Sequence, residues 1–276
     1  MTIDAAPTSV SQPLFLEFNG RRLFALQIHP VVPCIGALLF LPPFSEEMNR
    51  CRSHVAEQAR ALAAVGLRCL LLDYHGTGES GGQSTEGDWD HWRADAIAAA
   101  QWLAHDSGRP LGLWGLRTGA LLAAEVAASG ELAVSRLLLW QPVVDGKQFV
   151  NQYLRLRIAS QMVHGAERET TTTIQHRLAA GEVIEVAGYP LTGRLADGIA
   201  ARRMADFKAL GRARVDWIEV AGQADQPLPP GSQRVVDGLL AAGCNIQPTT
   251  VAGPTFWQLA GTHVAPELQQ ATLRVM

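Results

Sequence analysis

A chain of 276 residues that is 47% hydrophobic can bury a large core, and one α/β domain with an insertion is expected rather than two domains. A formal net charge of −3 and the lack of any long Lys/Arg run exclude a nucleic-acid footprint and a polybasic membrane patch, which leaves small molecules or proteins as partners. Residues 1–12 carry Asp4 and no basic start before an apolar run, and no stretch of about 18 uncharged apolar residues occurs, so a cytoplasmic protein with no membrane span is expected.

Leu14 to Phe18 and Leu23 to Ile28 read as strands around Asn19-Gly20, the commonest short signal for a tight hairpin, and predict an N-terminal antiparallel pair. Ile35 to Leu41 is apolar on both alternating faces, as in a strand covered on both sides. Arg52 to Val65 shows a helical stripe at Val55, Ala59, Leu62 and Ala63, with Gly66 placed to terminate it. Leu67 to Leu72 is the next buried strand. Asp88 can cap a helix through Ala104, and a further strand is predicted over Arg136 to Trp140. Strand and helix alternate, which implies a parallel sheet.

From about 145 to 207 the alternation stops. Val150 to Val163, the polar run Glu167 to Thr173 and a Gly-punctuated piece around Gly181 to Gly193 read as an inserted helical cap within a single domain spanning 1–276. The alternation resumes with a strand at Arg214 to Val220, a helix at Arg234 to Ala242, a strand at Cys244 to Val251 and a closing helix from Pro266 to Met276. Cys34, Cys51, Cys69 and Cys244 are scattered without C-x-x-C spacing, so buried thiols fit better than metal ligands or disulfides, and neither a cofactor nor a metal is expected.

The chain is organised around Leu111 to Glu125, which reads as a buried strand, a turn pinned between Gly115 and Gly119, and an Ala/Leu-rich helix. This has the form of the G-x-S-x-G nucleophile elbow, in which flanking glycines lift one side chain above the sheet at a helix N-terminus. Here the lifted residue is Arg117. A guanidinium stays protonated at ordinary pH and has no lone pair for attack on a carbonyl. The pattern predicts an α/β-hydrolase fold, a mostly parallel sheet of about eight strands with an N-terminal antiparallel hairpin and an inserted cap, but without its usual nucleophile.

Pro42-Pro43-Phe44-Ser45-Glu46-Glu47 follows the first buried strand, where this fold supplies the second oxyanion-hole amide. Pro43 has no N–H, so Phe44 or Ser45 would donate, together with the amide of Thr118. Glu46 and Glu47 line the same pocket or form a solvated helix start, where acidic side chains meet the helix dipole favourably. The Asp73 to Ser80 loop has the Gly spacing of a D-x-x-G-x-G-x-S segment, and a tight-loop role for Asp73 outweighs a catalytic role for His75. Asp225 stands where a triad acid belongs, in the loop after the penultimate strand. The place for the histidine holds Gly253-Pro254-Thr255-Phe256-Trp257, and His263 arrives late; it reads more readily as an exposed residue near a helix start than as a base. Thr118 and Ser45 could replace the nucleophile, but neither has a base fixed beside it by the sequence.

Pro-Pro-Phe-Ser-Glu-Glu-Met-Asn at 42 to 49, Gly115-Leu116-Arg117, Gly188-Tyr189, Pro254 and Phe256-Trp257 together resemble the exosortase A system-associated hydrolase family, particularly its second type, along nearly the whole chain. The resemblance implies a place in bacterial gene sets for exopolysaccharide production and protein sorting, with proteins of that system as partners, and says little about substrate.

Three readings follow. The protein is an ester, thioester or carbohydrate-linked acyl hydrolase with unorthodox catalytic residues; or it is an inactive pseudo-hydrolase in which Arg117 and the helix N-terminus seat an anionic ligand, or which binds a protein partner; or Arg117 merely plugs an old pocket. A guanidinium at a helix N-terminus meets the positive end of the dipole, an unfavourable contact of roughly 0.3–1 kcal/mol when exposed. Arg117 is therefore expected to pair with Asp225, Glu46 or Glu47.

Overall fold

The computed structural model describes residues 9–163, 169–261 and 263–276. Asp4 and the start of the polar run at 167 to 173 lie outside the described residues. The first hairpin pairs β1 (Ser9–Phe18) with β2 (Arg21–Pro30) through Asn19 and Gly20, both at positive φ (48° and 75°), the backbone that a tight two-residue turn requires. Next come β3 (Gly36–Leu41), α1 (Glu46–Ala64), β4 (Leu67–Leu72), α2 (Trp89–Ser107), β5 (Leu111–Leu116), α3 (Thr118–Ala128) and β6 (Val134–Trp140). The chain finishes with β9 (Arg214–Ala221), α7 (Pro230–Ala241), β10 (Asn245–Ala252) and α8 (Pro266–Val275).

Among the described residues eight strands form one sheet in the order β1-β2-β4-β3-β5-β6-β9-β10, parallel from β4 to β10 and antiparallel at the β1-β2 and β2-β4 pairings. This is the α/β-hydrolase fold. Every residue of β3 and β5 is buried, because helices cover both faces of the sheet. On one face Val55, Ala59 and Leu62 of α1 pack with Leu268 of α8 against Trp114 and Trp140; on the other, α2 and α3 pack against Leu39 and Leu113. The side chain of Asp88 caps α2 by accepting from the His91 amide at 2.8 Å. Helix α1 starts six residues earlier than its apolar stripe suggests: Ser45, at φ 62°, breaks the chain from β3, and Glu46 and Glu47 then fill the first turn, where the dipole favours them.

Between β6 and β9 lie α4 (Gly146–Val163), α5 (Thr171–Ala179), the small hairpin β7 (Ile184–Val186) and β8 (Tyr189–Leu191), α6 (Gly193–Ala200) and a 3-10 turn at Met204–Asp206. This segment covers the sheet as a cap. Phe149, Tyr153, Val186 and Leu195 share one apolar cluster with Leu41 and Phe44. Among the described residues no helix is long and apolar enough to cross a membrane.

The β5-α3 turn depends on two missing side chains. A Cβ on Gly119 would stand 2.0 Å from the Leu41 carbonyl oxygen, and one on Gly115 would stand 2.4 Å from that of Gly119. Backbone cannot yield as a flexible side chain can. Gly119→Ala is expected to destabilise the protein by about 3 kcal/mol in denaturant melts, whereas Gly222→Ala, whose new methyl would meet nothing within 4 Å, is expected to stay within about 0.5 kcal/mol of the parent. Equal losses would show that the close approach does not constrain the turn.

Candidate functional site

Arg117 occupies the turn between β5 and α3 with φ 56° and ψ −117°. Such backbone costs a non-glycine residue on the order of 1–3 kcal/mol and persists only where its surroundings hold it. Here the Arg117 amide donates to the Trp140 carbonyl at 3.0 Å, and the Arg117 carbonyl accepts from the Val143 amide at 3.2 Å. The turn is clamped on the end of β6, and its side chain is lifted toward the cap.

The guanidinium meets Glu47 of α1. Arg117 Nε donates to both carboxylate oxygens, at 3.2 and 3.4 Å, and the two side chains are only 15% and 12% exposed. The terminal nitrogens of Arg117 make no hydrogen bond among the described residues. Its central carbon lies 5.8 Å from the Phe149 ring centroid and 5.9 Å from that of Trp257, within cation–π range of both. Burial pushes the Glu47 carboxyl above its ordinary range, against the opposing pull of Arg117.

Arg117 and Glu47 open into a cavity of about 440 Å³, walled by Phe44, Phe149, Tyr153, Leu156 and Trp257, with Glu46, Arg50, Gln152 and Gln258 completing the lining. Glu46 pairs with Arg50 at 3.0 Å, and Arg50 also donates to the Gln258 carbonyl. The Ser45 hydroxyl donates to Tyr153 Oη at 2.6 Å, which in turn donates to the Val186 carbonyl at 3.0 Å. Burial raises the Tyr153 hydroxyl well above the ordinary tyrosine range.

The sequence-derived residues are therefore only partly assembled. Glu46, Glu47, Phe44 and Arg117 converge on the cavity, and Glu47 is the acid that Arg117 pairs with. The Phe44 amide does not stand open for an oxyanion: it donates to the Thr118 hydroxyl at 2.9 Å, and both residues are buried. Ser45 has its hydroxyl committed to Tyr153. Asp225 does not join the cluster, because its loop turns at φ 57° and leaves the side chain exposed, with no ion pair among the described residues. His263 also stays apart, its Nε2 within 3.0 Å of the Ala260 carbonyl. Asp73 shapes its loop, bonded to Arg52 at 3.1 Å and to the Glu79 amide at 3.0 Å, and His75 lies beside Glu86.

Sequence reasoning missed the cap's contribution. Phe149, Gln152, Tyr153 and Leu156 all line the cavity from α4. Their i, i+3, i+4, i+7 spacing is a helical face that was there to be read.

A family model described as serine aminopeptidase, S33, matches residues 37–183. Among solved structures, Est1E from Butyrivibrio proteoclasticus with bound ferulic acid superposes with a TM-score of 0.70 at 16% identity, covering 95% of this chain and 97% of that one. A thermostable carboxyl esterase from Bacillus coagulans in complex with glycerol gives 0.60 at 13%, covering 88% and 90%. The thioesterase domain from the curacin biosynthetic pathway gives 0.58 at 16%, covering 97% and 100%. At such identities the likenesses establish the fold. No curated protein matches the chain.

Because Glu47 has a raised folded-state pKa, its favourable contribution is fully present below the unfolded value of about 4.5 and is lost as pH rises through the folded value. Glu47→Gln keeps an acceptor for Arg117 but does not titrate. The variant is therefore expected to gain stability relative to the parent as pH is raised from about 4 toward 8, read from denaturant melts across that range. In a double-mutant cycle at pH 7, Arg117→Ala and Glu47→Ala should couple by about 0.5–3 kcal/mol, whereas Asp225→Ala should be nearly neutral and additive with Arg117→Ala. Coupling to Asp225 in place of Glu47 would refute this arrangement.

Proposed function

The chain belongs to the serine aminopeptidase S33 family, and we propose that it uses the α/β-hydrolase scaffold to bind an anionic ligand above the sheet rather than to hydrolyse an acyl substrate through an elbow nucleophile. The observation that supports this reading is Arg117 in the β5-α3 turn, its terminal nitrogens without hydrogen bonds among the described residues and beside an aromatic-walled cavity; we read that turn as the nucleophile elbow. A guanidinium cannot attack a carbonyl, and loss of a catalytic serine typically lowers turnover by on the order of a millionfold. The engaged Phe44 amide and the place of His263 outside the cavity lining further support the absence of a working triad.

What the site retains favours a carboxylate. Guanidinium N–H groups suit its geometry, and the first turn of α3 adds the positive end of a dipole. The Est1E structure holds ferulic acid, and an aromatic acid of that kind matches a cavity whose walls are mostly rings. The resemblance of Pro42 to Asn49, Gly115 to Arg117 and Phe256-Trp257 to the exosortase A system-associated family supports a role in exopolysaccharide production and protein sorting. On this reading the protein acts there as a ligand-binding pseudo-hydrolase, with an anionic or acyl small molecule and proteins of that system as its partners.

Purified protein should show no stable labelling by a fluorophosphonate serine-hydrolase probe. It should bind ferulate in calorimetry, with affinity falling at least about tenfold in Arg117→Ala as a charge-assisted hydrogen-bonded contact is lost. Turnover of a short-chain ester that disappears in Glu47→Gln would overturn the proposal and identify Glu47 as a base.

A further inference from the structure

Any anion that reaches Arg117 meets a guanidinium already shared with a carboxylate. Glu47 takes only Nε, so the terminal nitrogens can accept a second carboxylate without displacing the first. That would put two carboxylates on one cation in a largely buried site.

The other cation lining the cavity among the described residues, Arg50, is already paired with a carboxylate. Arg50, one turn along α1 from Glu46, is bound to Glu46 and to the Gln258 carbonyl. From α4, Tyr153 presents a hydroxyl that already donates to Val186 and accepts from Ser45. Cys51, the next titratable group on the inner face of α1, is fully buried and directs its thiol to the Met48 carbonyl. The loop after β10 contributes Trp257, which carries no charge. Among the described residues, Arg117 is thus the cavity cation whose two terminal nitrogens are both without a hydrogen bond, whereas Arg50 has one on Glu46 and the other on the Gln258 carbonyl.

Two carboxylates within a few ångströms of each other in low dielectric do not both stay ionised; such a pair holds one proton between them. Resting on the anion-seat reading of Arg117, we propose that the ligand is a monocarboxylate on a flat apolar body and that it binds together with one proton, taken from solvent onto Glu47. The new O–H bond forms on a Glu47 carboxylate oxygen and donates to the incoming carboxylate, Arg117 stays charged, and no bond of the ligand breaks. Burial already tilts Glu47 toward its protonated form, which lowers the cost of the step. A ligand dianion such as a phosphate monoester is discriminated against, because one proton on Glu47 leaves its second charge without a partner. The apolar body is dictated by the walls, four of which are the rings of Phe44, Phe149, Tyr153 and Trp257.

Titration calorimetry of the intact protein with benzoate and with phenyl phosphate tests this in buffers of different ionisation enthalpy, at several values from about pH 5 to pH 9. Benzoate should bind with uptake approaching one proton at the upper end of the range, with affinity falling toward tenfold per pH unit there, and phenyl phosphate should bind at least about tenfold more weakly. In Glu47→Gln the uptake and the pH slope should vanish from whatever benzoate binding the variant keeps; because the buffer series on the parent protein measures uptake directly, the test does not depend on that variant folding. Benzoate binding with no uptake at any pH would overturn the proton coupling and leave the anion seat standing. Phenyl phosphate binding as tightly as benzoate would overturn the ligand class, and no binding of either would overturn the seat as well.

Discussion

The contact between Arg117 and Glu47 decides what this site can be. An arginine at the positive end of α3, in backbone that disfavours any side chain, faces two unfavourable conditions at once. Glu47 offsets the first from the start of another helix, where it stands largely buried in the cavity wall. A buried ion pair of this kind is weak evidence for stability, since desolvation cancels much of the attraction, but removing one partner strands the other. The pair is therefore best understood as a mutual constraint: each charge is tolerable there because the other is present.

The same helix start that supplies Glu47 also fastens the cap. Ser45 reaches Tyr153 of α4 and, through it, Val186 of β7; one turn on, Asn49 donates to the Tyr189 hydroxyl of β8 at 2.6 Å. Phe44, immediately before, packs edge-on against Tyr153 with ring centroids 4.9 Å apart. The segment 44–49 is thus where sheet, cap and cavity join, and it is continuous with the backbone that closes on Thr118. A shift in α1 large enough to release Glu47 would have to disturb those cap contacts too, so the state of the ion pair and the seating of the cap are mechanically linked.

Much of the scaffold was legible in the sequence because it is written in local signals. The Asn19-Gly20 turn, the doubly apolar run of β3, the Asp88 cap and the Gly115/Gly119 bracket each act within a few residues, and each stands where the pattern put it. The start of α1 was legible only as an alternative, with Glu46 and Glu47 as a helix start beside a pocket role, since nothing in the residue type of Ser45 announces a positive φ. Nor was the choice among Asp225, Glu46 and Glu47 as partner of Arg117. All three belong to loops or helix starts at the same end of the sheet, and selecting one depends on which side chain turns inward: Asp225 faces solvent because its loop reverses, Glu46 is held by Arg50 four residues on, and Glu47 is left for Arg117. The engaged Phe44 amide was hidden for a similar reason, because its acceptor lies 74 residues away.

A hydrolase elbow and an anion seat make nearly opposite demands on one place in the fold, and the local architecture can serve both. Hydrolysis needs a neutral nucleophile, a base beside it and open amides for a transient oxyanion. A seat for a stable anion needs a permanent positive charge, a counter-charge that can yield by taking up a proton, and no open amide competing for the ligand in another orientation. Arg117 meets the first of these demands; on the proposed proton uptake Glu47 would meet the second, and the Phe44 amide, held by the Thr118 hydroxyl, is one open donor fewer. All three are properties of side chains around the β5-α3 turn, which is why a fold shared with esterases is compatible with the proposed loss of their chemistry.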